Sequence, residues 1–121
     1  MNGKSKRYSG KCHCGSISFS FSAGEIDKAM RCSCSICRRK GAYLSDFVIE
    51  RPDIEFTDKQ GSLTRYQFGT GVAKHFFCSL CGIFTHVETR LNPGSIRVNL
   101  GCIDGLDVFG LPYEVFDGDS I

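Results

Sequence analysis

Seven of the chain's eight cysteines fall into three short clusters: Cys12-x-Cys14, Cys32-x-Cys34-x-x-Cys37 and Cys78-x-x-Cys81. By count these are four thiols plus three. A structural zinc closes with four protein ligands, whereas a catalytic one keeps three and leaves a position open for water or substrate. The count suggests one metal that holds the fold and one that does chemistry. Cys102 stands alone.

Whether such clusters bind metal or form disulfides depends on the compartment. Met1 to Cys12 contain no apolar core of a signal peptide. No stretch approaches the roughly 18 apolar residues of a membrane span. A reducing, cytoplasmic setting is expected, where clustered cysteines mean metal more often than disulfides. Cys12 and Cys14 flank His13 at the start of an expected strand. Side chains two apart on a strand share a face, which suits two ligands of one ion and turns His13 away from it.

At 121 residues the chain reads as a single domain, 1–121, and its 41% hydrophobic content is ordinary for a globular protein. A net charge of +2 supplies no field for nucleic acid or membrane. Charge is concentrated at the ends, with Lys4, Lys6 and Arg7 at one and Asp104, Asp107, Glu114, Asp117 and Asp119 towards the other. Both ends, including an acidic tail over 108–121, are expected to be solvated and loosely held.

Residues 16–22 alternate serine with Ile17, Phe19 and Phe21, the period-2 signature of a half-buried strand. Residues 95–100 repeat it with Ile96, Val98 and Leu100. Weaker strands are expected over 43–50, 63–68, 74–77 and 83–87, with turns at Gly24, 51–53, 59–61, 69–71 and 92–94. A short helical turn fits 35–40. The pattern predicts a mainly β domain of antiparallel sheets.

Cys78-Ser79-Leu80-Cys81-Gly82 reads as a metal knuckle, because glycine after the second cysteine can take the positive φ that turns backbone N–H groups towards sulfur. Cys14-Gly15 has the same junction. Pairing Cys12 and Cys14 with Cys78 and Cys81 would tie the first strands to a much later one. A zinc in that position can supply about 10–16 kcal/mol of apparent binding energy. The middle triple differs in kind, being flanked by Arg31, Arg38, Arg39 and Lys40. Those cations would favour thiolates and could receive an anionic substrate, or could form a solvated face. Cys102 or a histidine as fourth ligand would turn the triple into a second closed site. On its own, Cys102 looks like a small buried hydrophobe. His75 and His86, either side of the knuckle, look like core or surface residues, and no general acid can be placed from sequence.

The segments Gly10–Gly15, Cys32–Ala42 and Phe77–His86 resemble the glutathione-dependent formaldehyde-activating enzyme family, whose domain is shared with centromere protein V. Residues 99–105 are also similar, so the resemblance runs from about Gly10 to Asp107. It implies a β-tent fold with a structural zinc on Cys12, Cys14, Cys78 and Cys81. It implies a catalytic zinc on Cys32, Cys34 and Cys37. The implied activity joins glutathione and formaldehyde as S-hydroxymethylglutathione, a reaction classed under carbon–sulfur lyases. Arg38 and Arg39, with Arg31 and Lys40 nearby, would face the thiol's carboxylates. The expectation is therefore a cytoplasmic lyase with two Zn2+ per chain and a small thiol such as glutathione as partner, without nucleic acid or membrane. A non-catalytic module with two structural zincs is the competing reading. Nothing in the sequence decides between monomer and homodimer.

Overall fold

The computed structural model describes residues 5–90 and 92–118. In chain order it contains β1 (Lys6–Lys11), β2 (Ile17–Ala23), β3 (Ala29–Cys32), α1 (Ser35–Lys40), β4 (Leu44–Ser45) and β5 (Ile49–Glu50). There follow β6 (Ile54–Asp58), β7 (Leu63–Tyr66), β8 (Lys74–Cys78), β9 (Phe84–Glu88), β10 (Ser95–Val98) and β11 (Tyr113–Phe116). They form three sheets, ordered β1-β2-β6, β5-β10-β9-β8-β7 and β11-β3-β4. The pairings are antiparallel except β11 with β3, which is parallel. This is the mainly β architecture expected. Among the described residues no helix is long and apolar enough to cross a membrane.

The core lies where the first two sheets face each other. Ile17, Phe19 and Phe21 of β2 are buried while Ser18 and Ser20 are only half-buried, as the alternation requires. Phe19, Phe21 and Ile54 pack in one cluster with Ile49, Ile96 and Val98 of the five-stranded sheet. Each such buried side chain contributes roughly 1.5–3 kcal/mol relative to exposure. Phe56 of β6 stacks on His86 of β9 at 4.2 Å between ring centroids, and Phe76 of β8 stacks on the same imidazole at 4.4 Å. His86 is fully buried, with Nδ1 2.8 Å from Thr85 Oγ1. Burial, then Arg51 and Lys40, push its pKa down to about 3, so it is a neutral core residue.

Several elements differ from expectation. Lys4 lies outside the described residues, but from Lys6 the charged N-terminal segment is not loose: β1 pairs along its whole length with β2. Its polar side chains are anchored at the edge, where Arg7 reaches Glu55 at 2.9 Å and Tyr8 Oη donates to the Gly24 carbonyl at 3.1 Å. Nor is the acidic tail loose through 118, since β11 adds to β3 as an edge strand; Asp119 and the rest of 119–121 lie outside the described residues. An edge strand needs no alternating apolar face, so neither segment announces itself. The strand expected over 43–50 is split into β4 and β5, and β10 ends at Val98 because Leu100–Cys102 turns into a 3-10 helix. The Asn99 side chain caps that turn, accepting from Gly101 N–H at 3.0 Å.

Gly10 is where β1 closes on the core. A Cβ there would meet Phe19 Cζ at 2.6 Å and the Cys102 carbonyl at 2.9 Å. The second neighbour is backbone and cannot swing aside. Gly10→Ala should therefore cost about 1–3 kcal/mol through overpacking, measured as a lower urea midpoint with an unchanged m-value. An unshifted midpoint would mean that β1 can lift off without disturbing the core.

Candidate metal centres and cleft

Two knuckles meet at the ends of hairpins. Between β1 and β2 the chain turns at Cys12–Gly15, where Gly15 N–H donates to the Cys12 carbonyl at 3.1 Å and Gly15 has φ 82°. Between β8 and β9 the turn is Cys78–Gly82, with Gly82 N–H on the Cys78 carbonyl at 2.7 Å and φ 79°. Positive φ is open to glycine at no steric cost, which is why each knuckle ends on one.

These turns bring Cys12, Cys14, Cys78 and Cys81 together, with all four sulfurs within 4.8 Å of one another. Cys12 and Cys14 sulfurs stand 3.7 Å apart, as do those of Cys14 and Cys78. Four sulfurs held about 2.3 Å from a central tetrahedral zinc would be separated by about 3.8 Å, so the donor set fits such an ion. Ile17 N–H donates to Cys12 Sγ at 3.4 Å, and Ser16 Oγ lies 3.4 Å from Cys78 Sγ. Burial pushes the Cys78 thiol up. The Ser16 and Ser62 hydroxyls and the N–H groups of Cys81 and Leu80 outweigh that and bring it down to about 5. Cys12 and Cys78 are buried, Cys81 is half-buried and Cys14 is exposed, so this centre sits at the rim of the fold with two of its four cysteines inside.

Cys32, Cys34 and Cys37 form a second group with sulfurs within 4.8 Å of one another. Cys32 closes β3. Cys34 caps α1, its sulfur accepting from Cys37 N–H at 3.5 Å, and Cys37 sits in the first turn. One strand end and one helical turn therefore gather three sulfurs. The Cys37 thiol is pushed well above its ordinary value, by the Cys32 sulfur first and burial second. Three crowded thiols of this kind accept a soft divalent cation, which would relieve the repulsion between thiolates. Overhead passes the end of the described chain: Ser33 N–H donates to the Phe116 carbonyl at 2.9 Å. A Cβ on Gly118 would collide with Cys32 Sγ.

The two centres differ in access. A cleft of about 330 Å3 is lined by Cys32, Cys34 and Cys37 and by none of the other four cluster cysteines. Its opposite wall comes from the five-stranded sheet, where His75, Val87 and Arg97 share a face by register. Arg97 Nη1 donates to the Ser45 carbonyl at 2.8 Å. Burial lowers the Arg97 pKa, while Asp46 and Cys32 hold it up.

The sequence-derived candidates fall as follows. Arg38 and Arg39 are exposed on the last turn of α1 and line none of the cleft. Arg31 lies over Tyr43 and Tyr113, 4.9 and 5.5 Å from their ring centroids. Lys40 turns inward to His75, with Nζ 2.6 Å from Nδ1. Cys102 belongs to neither cluster; its Sγ faces the Phe84 carbonyl at 3.6 Å, and burial pushes its thiol up to about 12. Among the described residues the triple has no fourth cysteine, histidine or carboxylate donor. His13 is exposed, outside both groups. Arg97 carries no sequence signal of a site, and His75, expected to be a core or surface residue, is buried yet lines the cleft. Period-2 alternation places them on one face, but only the packing of β3 and α1 shows that the face is a cleft wall.

The two centres should respond differently to ligand loss. Cys78→Ser opens the four-sulfur clip, and since metal-binding free energy there is folding free energy, stability should fall by on the order of 5 kcal/mol or more. Cys37→Ser should release a metal from the cleft while moving stability by only about 1 kcal/mol. Urea unfolding with metal analysis checks both; a Cys78→Ser protein with the wild-type midpoint would contradict the first expectation.

The chain is similar to known proteins over most of its length. A crystal structure of a Rhodobacter sphaeroides protein, determined as a structural-genomics target, superimposes with a TM-score of 0.76 at 37% identity, covering 88% of this chain and 99% of that one. The family model described as glutathione-dependent formaldehyde-activating enzyme matches residues 7–119, a span that takes in both cysteine centres and the cleft. The chain therefore belongs to the glutathione-dependent formaldehyde-activating enzyme family.

Proposed function

We propose that the protein is a cytoplasmic carbon–sulfur lyase of two zincs per chain, joining or parting a small thiol such as glutathione and an aldehyde such as formaldehyde. The observation that carries this reading is a difference in setting: the sulfurs of Cys32, Cys34 and Cys37 open on a cleft, and the four that could close around a metal by themselves do not. On this reading Cys12, Cys14, Cys78 and Cys81 hold the structural zinc, and Cys32, Cys34 and Cys37 hold the reactive one. Bound there, zinc supplies a lowered thiol pKa and a Lewis acid for a carbonyl oxygen.

The chain's own residues do the rest. Arg97, inside the cleft, offers its guanidinium to an anionic thiol. Arg38 and Arg39, on the outer side of α1, add positive field along the approach of the thiol's carboxylates. Holding sulfur and carbonyl carbon together in a small cleft replaces a bimolecular encounter with an oriented one.

The test is the rate at which 13C-formaldehyde and glutathione form S-hydroxymethylglutathione, followed by NMR against the uncatalysed reaction. Zinc-loaded wild type should accelerate it, and Cys37→Ser should fall to the background rate. A wild-type protein with both zincs and no acceleration would overturn the lyase reading and leave a two-zinc structural module.

A further inference from the structure

The cleft wall opposite the three sulfurs carries a histidine whose proton is placed by its neighbours. Lys40 leaves the last turn of α1, three residues beyond Cys37, and its Nζ lies 2.6 Å from His75 Nδ1. As an ammonium, Lys40 can only donate here, so Nδ1 accepts and the ring proton sits on Nε2. Both partners are held: Lys40 Nζ lies 3.6 Å from the Phe84 ring centroid, and the His75 ring stacks on Phe68 at 5.9 Å. Burial first, then Lys40, keep the imidazole neutral by pushing its pKa down to about 4.

His75 Nε2 meets no protein acceptor among the described residues. It is not sealed in the core either, because the one buried side-chain nitrogen or oxygen without a partner there is His86 Nε2. Since the His75 ring lines the cleft, its Nε2–H is presented to whatever fills the cleft. Arg97 already has one arm on the Ser45 carbonyl, and the Ser35 and Thr89 hydroxyls can rotate to donate or accept. His75 is a lining donor whose direction is fixed by its own partner, Lys40.

We infer that His75 is a catalytic residue that donates a hydrogen bond from Nε2–H to the substrate's carbonyl oxygen, with Lys40 as its positioning residue; this rests on the lyase reading above. As the thiolate sulfur attacks the carbonyl carbon, a carbon–sulfur bond forms and the C=O π pair moves onto oxygen. Nε2–H stabilises that oxygen as charge develops. The alkoxide then takes from solvent the proton that the thiol released on becoming thiolate. His75 stays neutral throughout, and the lyase direction runs the same steps backwards.

His75→Phe, His75→Gln and Lys40→Met, each zinc-loaded, test the assignment. His75→Phe should lower kcat about 10²–10³-fold with little change in the KM for glutathione or in zinc content, as loss of an oxyanion donor does. His75→Gln, whose amide can donate from nearly the same point, should recover about tenfold of that. Lys40→Met should lower kcat about tenfold, because the tautomer is no longer fixed. Independently of turnover, the imidazole 15N spectrum of the wild type should show His75 protonated at Nε2, and Lys40→Met should show a mixture of tautomers. A wild-type His75 protonated at Nδ1, or an active wild type whose kcat is unchanged by both His75→Phe and Lys40→Met, would overturn the inference alone. A wild type that does not accelerate the reaction would overturn the lyase reading and the inference with it.

Discussion

The structure depends first on four sulfurs that join two distant turns. Cys14 and Cys78 are separated by 64 positions, yet their sulfurs stand 3.7 Å apart. One turn closes the hairpin of β1 and β2; the other closes that of β8 and β9. Holding them together fixes the small sheet against the large one, so the phenylalanines of β2 find Ile96 and Val98 as neighbours. In a chain this short the apolar core alone is modest, and a clip between sheets compensates for that. The cleft inherits its shape from this arrangement, because its far wall is the outer face of the sheet the clip holds.

The two cysteine centres use one element for opposite ends. In the first, buried serine hydroxyls and backbone N–H groups converge on sulfur, stabilising thiolates inside the fold. In the second, the sulfurs crowd one another on a strand end and a helix cap, with cleft space beyond. Lys40 lies within electrostatic reach of all three, its own pKa lowered to about 8 by burial and pulled back up by those sulfurs. A centre with four sulfurs of its own leaves a metal no open position. A centre facing a cleft can take a ligand from solution, and that asymmetry links the fold to chemistry.

Much of this was legible in the sequence, for physical reasons. The four-plus-three division follows from ligand spacing, and the glycines that end both knuckles could be read directly. β2 and β10 show themselves because a half-buried strand must alternate. β1 and β11 do not, because edge strands satisfy their backbone on one side and tolerate charge on the other. Arg38 and Arg39 drew attention through adjacency to Cys37, yet a helix of one and a half turns sends consecutive residues in different directions. Lys40 turns inward and its two neighbours outward. Arg97 and His75 reach the cleft through tertiary packing, which no local pattern encodes.

Zinc K-edge X-ray absorption on protein of known metal content, purified under reducing conditions, bears most directly on the claim of one closed and one open centre. The account predicts two zincs per chain with an average of about three and a half sulfur neighbours each, the remainder being a lighter oxygen or nitrogen atom. Four sulfurs around every zinc, or one zinc per chain with the triple of Cys32, Cys34 and Cys37 left metal-free, would contradict it.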